Sequence, residues 1–477
     1  MSAATAVNSS PTLQRYQALF DARFATDPLL AQRREALAQF MSMGFPSQRD
    51  EAWKYTSLRR LESRAFELAQ SAPLAIDGDR PPWIAEAGMR IVFVNGHYAP
   101  ALSAIAPQPP GATLVTLGEW LKHEPSEALA YLSRSTQRPR SALEHLNTAF
   151  FEDGVVIQLA ADAAFDAPVH LVHLWTQSPQ PAMSHPHIIM RAGRHSRCTL
   201  IEQYIGIADS DTFTNSVLNV DLQDGARLQH YRVQQESRKA FHIGHANVCA
   251  HEHAQYRLHD LSFGSSLSRL NIAVYLQGSG AHAELKGLLA PTSTQHIDAH
   301  TRIEHVAPHT TSEEDYRGIA DGRGRGVFNG KVLVHPDAQK TDARQSSRNL
   351  LLSPTAEIDA KPELEIYAND VKCSHGSTTG QLDATALFYL RSRGVSETDA
   401  RALLIRAVAE TTISSVRDER VREYLEHRSE EQYGAWIEDL AAHGLDDDSI
   451  DGHEVVFPDG YDRLPSRLAV GLDARVI

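Results

Sequence analysis

The segment LNIAVYLQGSGAHAELKG, residues 270–287, places two alternating stretches on either side of a glycine-containing turn. In the first stretch apolar residues occupy every second position: Leu270, Ile272, Val274 and Leu276. Because successive side chains of a strand point to opposite faces, this spacing predicts a β-strand with one buried face. The same period runs from about residue 91 to residue 370, interrupted by a predicted helix near 117–132. A doubly wound α/β sheet is excluded, since its parallel strands need many helical crossovers.

Turns of related sequence recur through this region. They are GRHSRCTL from Gly193, GARLQHY from Gly225, HAQYRLHD from His253 and GAHAELKG from Gly280. The steps between them are 32, 28 and 27 residues, and each turn begins with Gly or His. A degenerate repeat of this kind favours a β-solenoid, in which each coil buries its inner face against its neighbours. A β-sandwich stays open as the alternative, because periodicity alone does not distinguish the two.

The two ends of the chain have helical periodicity instead. Apolar residues at helical spacing predict helices over 13–24 and 30–40, and Ser47 with Asp50 predicts the start of a third through Trp53, Leu58 and Leu61. The Pro-containing stretch 71–83 is typical of a linker. The helical period returns after Gly380, with helices beginning at the caps Asp383 and Ser396 and a third helix near 421–440.

These patterns divide the chain into four parts. We predict an N-terminal helical region and linker (1–90), a β core (91–380), a C-terminal helical region (381–443) and an acidic tail (444–477). The tail is rich in turn residues, which is typical of a segment with little structure of its own. The predicted fold class is therefore mainly β, with helical regions on both sides of the β core.

Composition narrows the choice of partners and compartment. The chain has 46 Lys and Arg against 60 Asp and Glu, a formal charge of -14, so nucleic acid is not an expected partner. No apolar run reaches the length of a membrane span, and the first residues do not resemble a signal peptide, so we expect no membrane association and a cytoplasmic location. The three cysteines, Cys198, Cys249 and Cys373, are far apart in sequence, which argues against a disulfide framework.

Several familiar catalytic and ligand-binding motifs are incomplete or missing in the sequence. The loop DGRGRGVFNGK, residues 321–331, lacks the Ser or Thr and the following helix of a Walker A loop, so we interpret it as a tight turn and expect any ATP chemistry to come from a partner. Serine-hydrolase and zinc motifs are missing from the sequence. Cys198 and Cys249 lie in strand-like segments and are interpreted as packing residues. One polar series could ligate iron, but it is interpreted as the solvated side of a half-buried strand: His296, Asp298, His300, Arg302 and Glu304.

Cys373 is different because His375 follows it at strand spacing. We predict that a strand ends near Lys372 and that residues 376–380 form a glycine-flanked turn. On an extended chain Cys373 and His375 project to the same side, about 7 Å apart. A thiolate and an imidazole suit iron or an iron–sulfur species, but two ligands do not complete a coordination sphere. The remaining ligands are expected from elsewhere, with a second chain at an interface as one source.

Long stretches of the sequence resemble the SufB/SufD family of iron-sulfur cluster assembly proteins. The matching stretches are GFPSQRDEAWKYTSL (44–58), PHTTSEEDYRGIADGRGRGVFNGKVLV (308–334), QKTDARQSSRNLLLSPTAEIDAKPELEIYANDVKCSHGSTTG (339–380) and LFYLRSRG (387–394). The SHG after Cys373, the FYLRSRG segment and the low cysteine count resemble the SufD branch more than the SufB branch.

The resemblance implies a right-handed parallel β-helix and a non-catalytic scaffold subunit. It implies a heterodimer with a SufB-like paralogue through the β-helix and a SufC-like ATPase bound to the helices of 381–443, and it leaves open a homodimer of the isolated chain. It implies a metal site at His375, with Cys373 as the second ligand, where transient iron or a nascent cluster meets SufB. No tightly bound cofactor is expected in isolation. The alternatives are a SufB-like scaffold that holds a cluster itself and a polysaccharide-acting β-helix enzyme.

Overall fold

A computed structural model of the chain describes residues 10–72, 74, 81–84, 88–134 and 141–433, with only the backbone of 133–134 and 428–433. The helices, in chain order, are α1 (Pro11–Phe24), α2 (Leu30–Met43), α3 (Arg59–Glu62), α4 (Leu117–His123), α5 (Pro125–Arg134), α6 (Ala142–Phe150), α7 (Ala384–Ser392), α8 (Glu397–Ile413) and α9 (Glu419–Tyr433). Short 3₁₀ turns cover Glu51–Trp53 and Pro100–Leu102. Among the described residues no helix is both long enough and apolar enough to span a membrane.

The strands form the middle of the chain. In order they are β1 (Glu67–Leu68), β2 (Met89–Val94), β3 (His97–Tyr98), β4 (Ala112–Thr116), β5 (Gly154–Leu159), β6 (Val169–Trp175), β7 (Ala182–Ser184), β8 (His187–Ala192), β9 (Arg197–Gly206), β10 (Thr212–Leu222), β11 (Arg227–Gln235), β12 (Phe241–Ala250), β13 (Gln255–Ser262), β14 (Leu267–Leu276), β15 (His282–Leu289), β16 (His296–His305), β17 (Thr311–Ala320), β18 (Arg325–Val334), β19 (Asp342–Leu351), β20 (Glu357–Ile366) and β21 (Lys372–Gln381).

From β8 onward consecutive strands alternate between two sheets, which makes the middle of the chain a parallel β-solenoid. The first sheet, which we call sheet 1, runs β20-β18-β16-β14-β12-β10-β8-β5-β4, and sheet 2 runs β21-β19-β17-β15-β13-β11-β9-β6-β2-β3. Strand β14 thus pairs in parallel with β12 and β16 and not with β13, its neighbour in sequence. The solenoid prediction is confirmed, and the β-sandwich alternative is wrong.

The recurring turns share one backbone conformation. His195, Gly225, His253 and Gly280 all have positive φ, at 55°, 67°, 55° and 71°. Three of them donate their backbone N–H to a carbonyl of the next coil: His195 to Asp224, Gly225 to Glu252 and His253 to Ser279. Gly tolerates the left-handed region freely, and His is among the residues enriched there. The alternation of Gly and His in the sequence repeat therefore marks one stacked left-handed position per coil.

Helices cover parts of the outer faces of the solenoid. Helices α1, α2 and α6 pack with strand residues of sheet 1 such as Phe213, Phe241 and Ile243. Helix α8 lies on sheet 2, where Ile405 and Ala409 are buried with Tyr231, Leu261 and Leu288. The last coil of the solenoid consists of β20 and β21.

Some local predictions are corrected. The predicted third helix through Trp53 is a 3₁₀ turn followed by the four-residue helix α3. The helix predicted near 117–132 is present as α4 and α5. Asp383 and Ser396 cap α7 and α8 with their side chains, as predicted. Most of the linker, the end of the third C-terminal helix beyond Tyr433 and the acidic tail 444–477 lie outside the described residues.

Candidate functional site

The last coil leaves both sheets open at one end. Strand β20 ends sheet 1 and β21 ends sheet 2, so one edge of each has no partner strand among the described residues. Most of β21 is exposed, and β20 is exposed or half-buried throughout. Unpaired parallel edges carry free N–H and C=O groups that can pair with another chain. The end of the solenoid is therefore a surface suited to a partner.

Cys373 and His375 both lie on β21. Residues 372–381 pair one by one with 342–351, from Asp342 with Lys372 to Leu351 with Gln381, so the predicted turn over 376–380 is wrong. Parallel pairing with β19 outweighs the local turn preference of the Gly, Ser and Thr residues. Gly376 and Gly380 have open space around them and no positive φ. The predicted shared side of Cys373 and His375 follows from their alternation along this strand.

The side of the strand they share is the solenoid interior. Their register partners on β19, Ala343 and Gln345, are buried, whereas the intervening Arg344 is exposed. Cys373 is half-buried and packs against the apolar cluster of Val332, Val334, Ala338, Ala343 and Ala368. Burial raises the pKa of the Cys373 thiol. His375 is exposed, because no coil lies beyond it among the described residues.

A polar column leads from His375 into the interior. Register places Glu314 of β17 beside Gln345 of β19, and Gln345 beside His375. Gln345 Nε2 donates to Glu314 Oε2 at 2.6 Å, and both side chains are buried. Burial raises the pKa of Glu314 to about 7, although the hydrogen bond from Gln345 favours its charged form. Sequence reasoning missed this column, because it depends on the stacking register of three coils.

The two predicted ligands do not form a complete metal site. Among the described residues, no group of three or more His, Cys, Asp and Glu side chains is arranged to hold a metal ion. An iron atom at His375 would therefore need donors beyond this part of the chain. The exposed position of His375 at an open edge makes such donors accessible from a second chain.

Cys198 and Asp298, also singled out by the sequence, have structural contacts. Cys198 is buried, and burial raises its thiol pKa to about 12, in line with a packing role. The solvated-face interpretation of 296–304 is wrong for Asp298 and Glu304, which are 2% and 9% exposed. Asp298 accepts hydrogen bonds from Arg269 at 2.7 Å and from the Thr56 hydroxyl at 2.5 Å, because the N-terminal segment covers this face. The loop at 321–324 is a turn that enters β18, as predicted.

Exposed apolar side chains lie close to the open end in sequence. Ile366 ends β20 with 40% exposure, Tyr367 follows it with 62%, and Phe388 of α7 is 72% exposed. Helix α7 begins directly after β21 and has no fully buried residue. Exposed aromatic residues of this kind are enriched where partners bind.

Fold and site together define a class: a parallel β-solenoid flanked by helices, with an open end that carries one thiol and one imidazole. Comparison with known families gives a more specific result. Residues 174–408 match the profile described as "SUF system FeS cluster assembly, SufBD core domain", and residues 13–171 match that of the "SufBD protein N-terminal region". The chain belongs to the SufBD family of iron-sulfur cluster assembly proteins, which confirms the resemblance noted in the sequence.

Individual relatives cover most of the chain. The SufBD family protein slr0076 of Synechocystis is 34% identical over 393 residues, which cover 80% of this chain and 86% of the relative. The iron-sulfur cluster assembly protein SufD of Escherichia coli is 30% identical over 426 residues, which cover 87% of this chain and 95% of the relative. The chloroplastic protein ABCI7 of Arabidopsis thaliana is 31% identical over 279 residues. The chain is thus SufD-like over nearly its whole length.

Proposed function

We propose that this chain is the SufD-like subunit of a SufBCD-type complex in the cytoplasm and that it assists iron entry and cluster formation at an interface with a SufB-like paralogue. The observation that carries the proposal is the position of His375: an exposed imidazole on the terminal strand of an open solenoid. A partner solenoid that pairs with β20 and β21 would cover His375 and could supply the missing ligands. Iron, or the nascent cluster, is the cargo of this site.

The two candidate ligands have unequal roles in this proposal. His375 presents its imidazole to the partner, and a neutral imidazole is a good ligand for iron. Cys373 faces an apolar cluster, and burial raises its thiol pKa, so it ionises less readily than a free thiol. We assign the main role to His375 and an auxiliary role to Cys373.

The C-terminal helices are proposed to bind a SufC-like ATPase. Helix α8 uses Ile405, Ala409 and Ile413 to hold sheet 2, while α7 keeps its surface exposed. An ATPase bound there could move the helices relative to the solenoid end. In this proposal the chain itself has no catalytic role, and ATP hydrolysis by the partner alternately covers and opens the site at His375.

The test uses the complex with its SufB-like and SufC-like partners, isolated by pull-down from a cell extract. His375→Ala should leave the complex intact but abolish cluster assembly, read as the activity of iron–sulfur enzymes in the cell. Ser374→Ala is the matched control, since Ser374 lies on the opposite face of the same strand. Unimpaired iron–sulfur enzymes in the His375→Ala strain would refute the role. A stable cluster reconstituted on the isolated chain would instead support a SufB-like scaffold.

A further inference from the structure

A groove of about 610 Å³ lies on the outer face of sheet 2, away from the open end. Its floor comes from the first residues of β9, β11 and β13, and its wall comes from the turn between α8 and α9. Most of the lining residues are polar or charged, such as Thr199, Gln229 and Gln255, and Phe165 and Tyr231 are the aromatic members. This volume is in the range of small-molecule sites, about 300–1,000 Å³.

Three arginines around the groove form no ion pair with any residue that the structure describes. Arg197 and Arg227 are direct register partners on β9 and β11, and Arg417 lies on the helix turn opposite them. No ion pair of these three is found within the described ranges, although the chain has an excess of acidic residues. The fourth arginine, Arg257, is already paired with Glu284 at 3.2 Å. Like charges directly opposite each other on neighbouring strands repel and are destabilising. A bound anion would relieve this repulsion between Arg197 and Arg227.

The helix turn is held firmly in place beside these arginines. The backbone N–H groups of Arg417 and Asp418 both donate to the Tyr231 hydroxyl, at 3.1 and 3.2 Å. Asp418, the acidic residue of the lining, is engaged by Arg420 at 2.8 Å. The groove is therefore a preorganised cationic site whose one carboxylate is already neutralised by a neighbour.

We propose that this groove binds a small phosphate-bearing molecule of nucleotide size. Guanidinium groups are planar forks that bind phosphate oxygens through two hydrogen bonds each, and two of them side by side suit a diphosphate. Phe165 and Tyr231, which are 7% and 1% exposed, form the rigid aromatic part of the lining beside the arginines. A bound phosphate would join Arg417 of the helix turn to Arg197 and Arg227 of the sheet. Binding would thus tighten the contact between the C-terminal helices and the solenoid.

The experiment measures binding of inorganic pyrophosphate and of ADP to the full chain by titration calorimetry at low salt. The double variant Arg197→Gln/Arg227→Gln should weaken binding of both at least about tenfold, because two charge-assisted contacts are lost. Arg344→Gln is the control, since Arg344 is an exposed arginine of the same sheet that pairs with Asp342 away from the groove. It should bind as the unaltered chain does. Thermal unfolding without ligand checks that the double variant is folded.

Two results would overturn the proposal. One is an affinity that is the same in the unaltered chain and the double variant, which would show that the anion binds elsewhere. The other is no binding to the unaltered chain, together with binding once the seven acidic residues of 446–462 are replaced by amides. That outcome would assign the groove to the chain's own acidic segment. Neither readout depends on cluster assembly, so the groove and the proposed function fail separately.

Discussion

The guanidinium of Arg269 lies over the ring of Trp53, 3.9 Å from its centroid. Arg269 is fully buried and also forms an ion pair with Asp298 at 2.7 Å. Trp53 and Thr56 thus cover a charged pair on the outer face of sheet 1. Because a buried charge is costly without partners, this contact fixes the N-terminal segment to the solenoid.

Trp53→Ala should lower the free energy of unfolding by about 3 kcal/mol, since it removes a 6%-exposed indole and uncovers the Arg269–Asp298 pair. Urea unfolding followed by circular dichroism gives the measurement. Tyr55→Ala, two positions away and only half-buried, is the control and should cost clearly less. Equal losses of unfolding free energy in the two variants would show that Trp53 has no special role in stability.

Glu314 should make stability depend on pH. Its pKa rises from 4.5 to about 7 on folding, because burial disfavours the charged form. Protonated Glu314 therefore contributes about 3 kcal/mol to the free energy of unfolding below pH 4.5, and this contribution is lost as the pH rises through about 7. Between pH 5 and pH 8 the unaltered chain should lose stability relative to Glu314→Gln, as measured by urea unfolding at both pH values.

The neighbouring Glu313 provides the control for this measurement. It is exposed on the opposite face of β17, so Glu313→Gln should keep the pH dependence of the unaltered chain. A Glu314→Gln variant with the same pH dependence as the unaltered chain would contradict a neutral carboxyl in the interior.

The thiols should react at different rates. Burial raises the pKa of Cys198 to about 12, whereas Cys373 is only half-buried at the open end, where burial also raises its pKa. Because the thiolate is the reacting species, iodoacetamide should modify Cys373 in the folded chain, faster at pH 9 than at pH 7, and leave Cys198 untouched until denaturant is added. Peptide mass spectrometry after timed labelling measures both sites. Equal labelling of the two in the folded chain would contradict this placement.

Phe388 should matter for partner binding and not for folding. If the exposed surface of α7 contacts the partner chains, Phe388→Asp should weaken their binding about 30-fold, the loss typical of an interface hot spot. Its 72% exposure predicts a change of less than about 0.5 kcal/mol in the free energy of unfolding. Ile207→Asp is the control, as Ile207 is an exposed apolar residue between β9 and β10. Surface plasmon resonance against the immobilised partners compares the two.

The solenoid was predictable because its signals are local. Alternation over 270–276 follows from the two faces of one strand, and the Gly or His at each turn follows from one left-handed residue per coil. Helix α6 was missed although its capping box, Ser141 with Glu144, is visible in the sequence.

The site was only partly predictable because its contacts are remote in sequence. The pair Cys373 and His375 was visible from spacing, but β21 gains its strand conformation from β19, about 30 residues earlier. The burial of Asp298 depends on Thr56, and the Glu314–Gln345 bond depends on the exact length of each coil. None of these follows from local propensity.

Within the part of the chain that the structure describes, nothing covers the coil of β20 and β21, and this has a consequence for chains made without the proposed partner. A sheet edge that continues at constant spacing is a template for addition of any matching strand, including one from an identical chain. Copies without the proposed partner would expose these edges to one another and could pair through them. If the chain belongs to the proposed complex, its open edges would therefore require that its synthesis keep pace with that of the partner.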